Sequence, residues 1–355
     1  MKKQYSIGII GAGMIAEKHI LALKTTGRAN ITWVARQDGS RLKDFMHKHD
    51  IPHGTTNYLD ILNDPSVDAV VITSPPAMHF EMFMNCLKAG KHILLEKPAT
   101  FNKEQMVQML EEEKKHKDLV VMDCSCRHAR LQPKFTAVKQ IIESGVLGDI
   151  YLIHHNCLWR QSRGGIEYHP SAKWFLNKAI AGGGPLLDWG VYDLSFHLGI
   201  LNDKPVLKKI TSALTRRGLD EVDPGTDIFD VEEHFMVMME YDNGLHYYWE
   251  RGSNGHVEVP NETRIYGTRG GLKFGFCSWD PPVIHFFDVE NNGKGKARHK
   301  EIPVDMSHHP GDEPMLGIHF INVLDGKEAN SMPLSLAAKH LDIIFRAYEA
   351  SEQGV

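Results

Sequence analysis

The stretch IGIIGAGMIA, Ile7 to Ala16, decides how this chain folds. Its apolar run, Ile7 to Ile10, predicts a buried strand. Gly11 to Ala16 predicts a tight turn, and Ile20, Leu21 and Leu23 follow at helical spacing. In that order the small residues have separate tasks. Gly11 permits the turn, Gly13 lets a pyrophosphate approach the backbone without meeting a Cβ, and Ala16 lets the helix pack on the strand. The start of the helix that follows offers unpaired N–H groups and a dipole that favour a phosphate. A purely structural glycine turn is the alternative. The strand before and the helix after it are the context of a dinucleotide site.

Outward from there, Asn30–Ala35 predicts a second strand. In a Rossmann unit the residue closing this strand meets the adenosine ribose, where an acid suits NAD and a base suits the extra phosphate of NADP. Arg36 and Arg41, with Ser40, lean the reading to NADP, while Asp38 leaves NAD open. The apolar run Val67–Ile72 predicts a buried parallel strand ending in Thr73-Ser74-Pro75-Pro76-Ala77-Met78-His79. Ser74, Pro75 and His79 thus fall at a strand's carboxyl end, where open α/β sheets bind ligands. The strand His92–Leu95 runs into Glu96-Lys97-Pro98. A lysine in that place can hydrogen-bond or polarise a substrate hydroxyl, and its pKa can be tuned for proton work. A surface salt-bridge residue is the plain alternative.

The texture changes from Asp149. Ile150–Trp159, Val206–Arg216, Val231–Tyr241, Leu245–Arg251, Glu262–Tyr266, Gly271–Gly275 and Val283–Val289 predict strands separated by turns such as Asp242-Asn243-Gly244. The expected fold is α/β: an N-terminal Rossmann doubly wound parallel sheet over 1–123, then a C-terminal α+β domain over 124–355. The second domain would carry a large, mostly antiparallel open sheet. Within it, Gly182-Gly183-Gly184 marks a loop or a close backbone approach. Asp188 and Tyr192, four apart, would share one face of a following helix. There they either flank a substrate hydroxyl or serve as a helix cap and a packed tyrosine. His197 is a fallback proton carrier. Arg127 lies in a turn after the strand Leu119–Met122.

GIIGAGMIA, SPPAMH and AGKHILLEKP, in that order and spacing, resemble the glucose–fructose oxidoreductase / inositol dehydrogenase / MocA (Gfo/Idh/MocA) family. The resemblance runs through nearly the whole chain. It implies an NAD(P)-dependent oxidoreductase acting on a secondary hydroxyl of a sugar, cyclitol or related polyol. Gly11, Gly13, Met14, Ile15, Arg36, Arg41, Ser74, Pro75, His79, Glu96 and Lys97 would bind the cofactor. The family pattern GGGxLxDxGxH places a substrate-binding aspartate at Asp188 and an acid/base histidine where this chain has Tyr192. Tyrosine occupies that place in some members, so Lys97, Asp188 and Tyr192 are the expected catalytic set. A phenol, with a reference pKa near ~10, needs a cation such as Lys97 beside it to act as a base at neutral pH. The stretch with Trp159, Arg160, Arg163, Tyr168, Trp174 and Asn177 resembles the branch acting on anhydrosugars and glucosides. Aromatic rings there stack on a pyranose and arginines bond its hydroxyls; otherwise Trp159 and Trp174 are core residues. With Arg127, Asp188 and Tyr192 these form the expected substrate set. Oxidation at C3 of a glucoside is the specific form. A redox-neutral glycosidase working through a 3-keto intermediate with retained NAD is one alternative, and a non-catalytic NAD(P)-binding regulator another. The resemblance also implies a homodimer or homotetramer.

Composition narrows the remaining classes. The chain has 355 residues, 42% hydrophobic and 24% charged, with a formal net charge of -5. That size suits two domains, and the charge argues against a nucleic-acid partner. No apolar run reaches the length of a membrane span. Five scattered cysteines point to reduced thiols and the cytoplasm. Twenty-one histidines show no ligand spacing, so no metal is expected.

Overall fold

The structure, a computed structural model, describes residues 3–159, 172–217, 228–257 and 259–355. The chain folds as two compact units, Met1–Arg127 with Pro310–Lys339, and His128–His309 with His340–Val355.

The first unit is built on β1 (Tyr5–Ile10), β2 (Ala29–Ala35), β3 (His53–Thr55), β4 (Ala69–Ile72), β5 (His92–Leu95) and β6 (Val121–Asp123). All are parallel, in the order β3-β2-β1-β4-β5-β6. Every residue of β4 is buried, as are Ile7, Ile9, Leu94 and Leu95. This is why the strands show continuous apolar runs rather than alternation. The strand order reverses between β1 and β4, which places a ligand crevice beyond their carboxyl ends.

The expected second-domain span of 124–355 differs from the observed division, because Pro310–Lys339 returns to the first unit. The helix Asp312–Leu324 packs against the helix Met14–Thr25 so closely that a Cβ on Gly317 would meet the Ala22 carbonyl at 2.7 Å. Asp325 then takes both Nη1 and Nη2 of Arg28 at 2.9 Å and the Tyr5 hydroxyl at 3.0 Å. An apolar helix face does not say which distant surface it will cover.

The second unit carries β7 (Ile150–Leu158), β8 (Leu207–Arg216), β9 (His234–Tyr241), β10 (His246–Gly252), β11 (Glu262–Gly267), β12 (Gly270–Phe274), β13 (Val283–Val289) and β14 (Ala297–Pro303). They form one sheet in the order β14-β13-β12-β11-β7-β10-β9-β8. Among the described residues only the β7–β10 pair of this sheet is parallel. The strand β14 escapes the sequence reading because its residues, ARHKEIP, are nearly all exposed on an edge. Charge there blunts an open edge. The alternation is clear elsewhere. In β9, Phe235, Val237, Met239 and Tyr241 are buried while their neighbours are half-buried. The helix Gly190–Gly199 covers that face: a Cβ on Gly190 would meet Trp249 at 2.8 Å and Ile344 at 3.5 Å.

Candidate functional site

In the first unit the glycine turn has the predicted form. Gly11 sits at φ +102, and an added Cβ would meet the Ser74 nitrogen at 2.9 Å, so only glycine fits. The Gly11 N–H bonds the Ala35 carbonyl at 3.0 Å, and Thr73 Oγ1 donates to the Gly11 carbonyl at 2.7 Å. Gly13 caps the helix Met14–Thr25, and nothing lies within 4 Å of its missing Cβ. Met14 is half exposed, Ile15 half-buried and Ala16 fully buried against the sheet. An open cradle beside free helix N–H groups fits a pyrophosphate.

Around that turn, Arg36 folds back so that Nη1 donates to the Ala12 carbonyl at 2.5 Å, while its buried Nε has no hydrogen-bond partner. Asp38 accepts from Ser40, through the backbone N–H at 3.0 Å and Oγ at 2.5 Å, with exposed Arg41 at 3.8 Å. Ser74 is buried and donates to Met82 Sδ at 3.2 Å. Pro75 is extended and leads into the short turn Pro76–Met78. His79 is fully buried, with its two ring nitrogens 2.8 Å from the carbonyls of Ser74 and Pro98. It ties two strand-end loops together from inside, so its effect on a nucleotide runs through those loops.

The end of β5 is held by buried charge. Glu96 Oε1 lies 2.6 Å from His19 Nε2 and accepts from Arg127 Nη1 at 2.5 Å, and Oε2 accepts the Lys97 backbone N–H at 3.1 Å. Burial alone would raise the Glu96 pKa, but Arg127, His19 and Lys97 outweigh it and hold the carboxyl well below its usual range. The carboxylate therefore fixes the backbone that carries half-buried Lys97. Arg127, an expected substrate ligand, is buried in this pair. Asp123, at the end of β6, was not singled out by sequence. Its Oδ1 takes the Ser125 N–H, its Oδ2 is buried without a hydrogen bond, and burial raises its pKa to about 6. Its only signal in sequence is a carboxylate closing a sheet strand.

In the second unit Asp188 and Tyr192 do not share one helix. Asp188 ends the short helix Pro185–Asp188, and Tyr192 lies one turn into Gly190–Gly199, its N–H bonded to the Trp189 carbonyl at 2.9 Å. Both are buried. The glycines before them serve close approach, with Gly182 also at φ +85. A Cβ on Gly183 would strike the Tyr348 hydroxyl, and one on Gly184 the Glu232 carbonyl. Glu232, unforeseen from sequence, accepts the N–H groups of Gly184 at 2.9 Å and Leu186 at 3.0 Å, serving the start of the Asp188 helix.

Beneath these residues Asp193 accepts from Arg251 Nε at 2.9 Å and Nη2 at 2.5 Å, and from the Trp249 indole at 2.9 Å. His197 packs here rather than facing a ligand, bonded to the Tyr247 hydroxyl at 2.6 Å and Thr263 at 2.8 Å. Burial pushes its pKa well down. Trp159 is 41% exposed, and its indole donates to Cys157 Sγ at 2.7 Å. Trp174 stacks on Phe175 at 3.9 Å, and Asn177 caps the next helix through the Ala179 N–H at 2.9 Å. Arg160, Arg163 and Tyr168 lie outside the described residues. Cys86, Cys124, Cys126, Cys157 and Cys277 are buried. Among the described residues no helix is long and apolar enough to cross a membrane.

Residues 5–124 match the family described as oxidoreductase family, NAD-binding Rossmann fold, and residues 135–273 match the GFO/IDH/MocA C-terminal domain. The trans-1,2-dihydrobenzene-1,2-diol dehydrogenase of Bos taurus is 28% identical over 94% of this chain and 86% of its own. The uncharacterized oxidoreductase YrbE of Bacillus subtilis is 33% identical over 43% of this chain and 44% of its own. Levoglucosan dehydrogenase in complex with NADH and levoglucosan superposes with a TM-score of 0.83, covering 99% of this chain and 98% of that one at 18% identity.

Proposed function

Because this chain belongs to the Gfo/Idh/MocA family of NAD(P)-dependent oxidoreductases acting on CH–OH groups, we propose that it oxidises a secondary hydroxyl of a sugar or glycoside. The observation that carries this reading is Lys97 at the carboxyl end of β5, its backbone fixed by a buried, fully ionised Glu96 in the sheet that also bears the open Gly13 cradle. The relatives support a carbinol on a ring as the reacting group, since one is named for a dihydrobenzene diol and one holds levoglucosan.

Gly11, Gly13 and the start of Met14–Thr25 would hold the pyrophosphate, and the bound nicotinamide supplies the hydride acceptor. Lys97 donates a hydrogen bond to the reacting hydroxyl and favours its ionised form. Tyr192, ionised to the phenolate, takes up the hydroxyl proton and becomes the neutral phenol, and Asp188 orients the substrate. Trp159, Trp174 and Arg127 are retained as substrate-side candidates, Arg127 acting through Glu96. The favoured cofactor is NADP, on account of Arg36 and Arg41 after β2. The favoured product is a 3-keto glucoside. The chain acts as a homo-oligomer in the cytoplasm. Oligomerisation is supported by the half-buried row Met238, Tyr248, His154, Arg264 and Lys273 on the sheet face opposite Phe235, Val237 and Trp249. Light scattering of the purified chain tests it, and a monomer would end that part of the reading.

The decisive experiment is a sugar and glycoside panel with NAD+ and NADP+ in parallel, beside Lys97→Ala. The expected loss in kcat/KM is about 10²–10⁴-fold with unchanged thermal stability. Full activity in Lys97→Ala would show the site to be wrong. Glycoside cleavage without net NAD(P)H would favour the redox-neutral glycosidase, and oxidation confined to C1 would reject the 3-keto product.

A further inference from the structure

Tyr192 stands inside a group of aromatic rings of which the reading above uses only Tyr192 itself and Trp159. His128 lies 4.9 Å from it and Trp189 5.4 Å. Trp279 meets Trp189 at 6.0 Å with an interplanar angle of 87°, and meets His128 at 5.3 Å and 72°. Trp159 lies 6.5 Å from Trp189 at 36°. All five belong to the second unit. Tyr192 is 1% exposed, whereas Trp159 and Trp279 are 41% and 51% exposed. The buried phenol thus leads, through half-buried Trp189 and His128, to two indoles open to solvent.

Two features separate this group from ordinary core packing. Two exposed indoles, each against the Trp189 ring, leave apolar surface in water, and such patches mark binding sites. The platform is also held rigid from behind. The Arg251 guanidinium lies 4.8 Å from the Trp189 ring centroid, and that guanidinium is buried and clamped by Asp193 through two hydrogen bonds. Arg251 Nη1 and the Trp159 indole N–H both point at Cys157 Sγ, at 3.1 and 2.7 Å. The guanidinium of Arg251 and the indole N–H of Trp159 are therefore spent inward, and the Trp159 and Trp189 ring faces remain for a ligand.

A sugar offers one apolar face and needs directed hydrogen bonds around its rim. A flat aromatic ring fits this corner better, because it can stack on one wall while meeting the other edge to face. We propose that Trp159, Trp189 and Trp279 form a subsite for an aromatic ring carried by the substrate, so that the substrate class is the aryl glycoside. This rests on the assignment of Tyr192 as the residue beside the reacting hydroxyl. The sugar carries the carbinol to Tyr192, and the aglycone lies against the indoles.

The test compares phenyl β-D-glucopyranoside with methyl β-D-glucopyranoside on the full chain with saturating NAD(P)+, by calorimetric binding and by steady-state kinetics. Phenyl glucoside should bind at least about ten-fold more tightly, equivalent to about 1.4 kcal/mol. Trp279→Leu and Trp159→Phe should each shrink that ratio several-fold, the difference falling in KM rather than kcat. Equal affinities in the unmodified chain overturn the proposal. So does a ratio that survives in both variants, or no saturable binding of phenyl glucoside up to about 10 mM, beyond the millimolar limit of weak association. Tyr192→Phe separates the two levels. If it keeps full turnover while the phenyl preference still depends on Trp279, the proton-carrier assignment fails and the ring subsite stands. If it abolishes turnover while phenyl and methyl glucosides bind alike, the reverse holds.

Discussion

At the end of β5, a buried carboxylate, a guanidinium and an imidazole fix one stretch of backbone; at the junction before Gly190–Gly199 the fixing is done by glycines. Glu96 gathers His19, Arg127 and the Lys97 N–H around one carboxylate. Gly183, Gly184 and Gly190 instead bring backbone against Tyr348, Glu232 and Trp249. The first device is electrostatic, so it depends on keeping every partner of a desolvated charge. The second is steric, so it fails as soon as one methyl group is added. The two kinds of dependence can be measured apart.

The largest effect is expected from Gly184→Ala, whose Cβ would land on the rigid Glu232 carbonyl. Urea unfolding should show a loss above about 4 kcal/mol, or no folded protein. A loss below about 1 kcal/mol would mean that this junction is not sterically locked. Next is Glu96→Ala, which leaves Arg127 and His19 buried without their carboxylate. A loss of about 3–5 kcal/mol is expected. Glu96→Gln should recover part of it, and equal losses in both variants would remove charge from the explanation.

Asp123 gives a smaller, pH-dependent effect. Its folded pKa, about 6, lies above the ordinary carboxyl value because of burial. Its contribution to stability is therefore full below the unfolded pKa near ~3.9 and is lost as pH rises through about 6. Asp123→Asn cannot ionise and should gain on the native chain by up to about 3 kcal/mol between about pH 4 and about pH 7. A stability gap that does not change with pH would contradict the buried, unpaired oxygen. The smallest change is Asn177→Ala, which removes one helix cap. It should cost about 1 kcal/mol and leave KM alone. A several-fold rise in KM would return Asn177 to the substrate side.

Legibility in the sequence followed the range of the forces involved. The Gly11 turn, the sheet strands around it and Lys97 at a strand end could be read directly, because backbone conformation and strand termination are set within a few residues. The Glu96 partners could not be read, since His19 and Arg127 lie 77 and 31 residues away along the chain. The sequence pointed to Asp188 and Tyr192 on one helix, yet they stand on two: one helix ends at Asp188 and the next begins at Gly190. Trp189 and Trp279 carried no pattern at all, because a ring cluster is assembled by sheet and helix packing and not by spacing.

By itself the sequence determined most of the strands, the nucleotide turn and the lysine that follows β5, since each is written in local periodicity and in residues with special backbone freedom. Tertiary structure alone decided which charges Glu96 is buried with, the return of Pro310–Lys339 to the first unit, and the indoles gathered beside Tyr192. These depend on desolvation and close packing between segments distant in the chain, and such contacts exist only once the whole fold has excluded water.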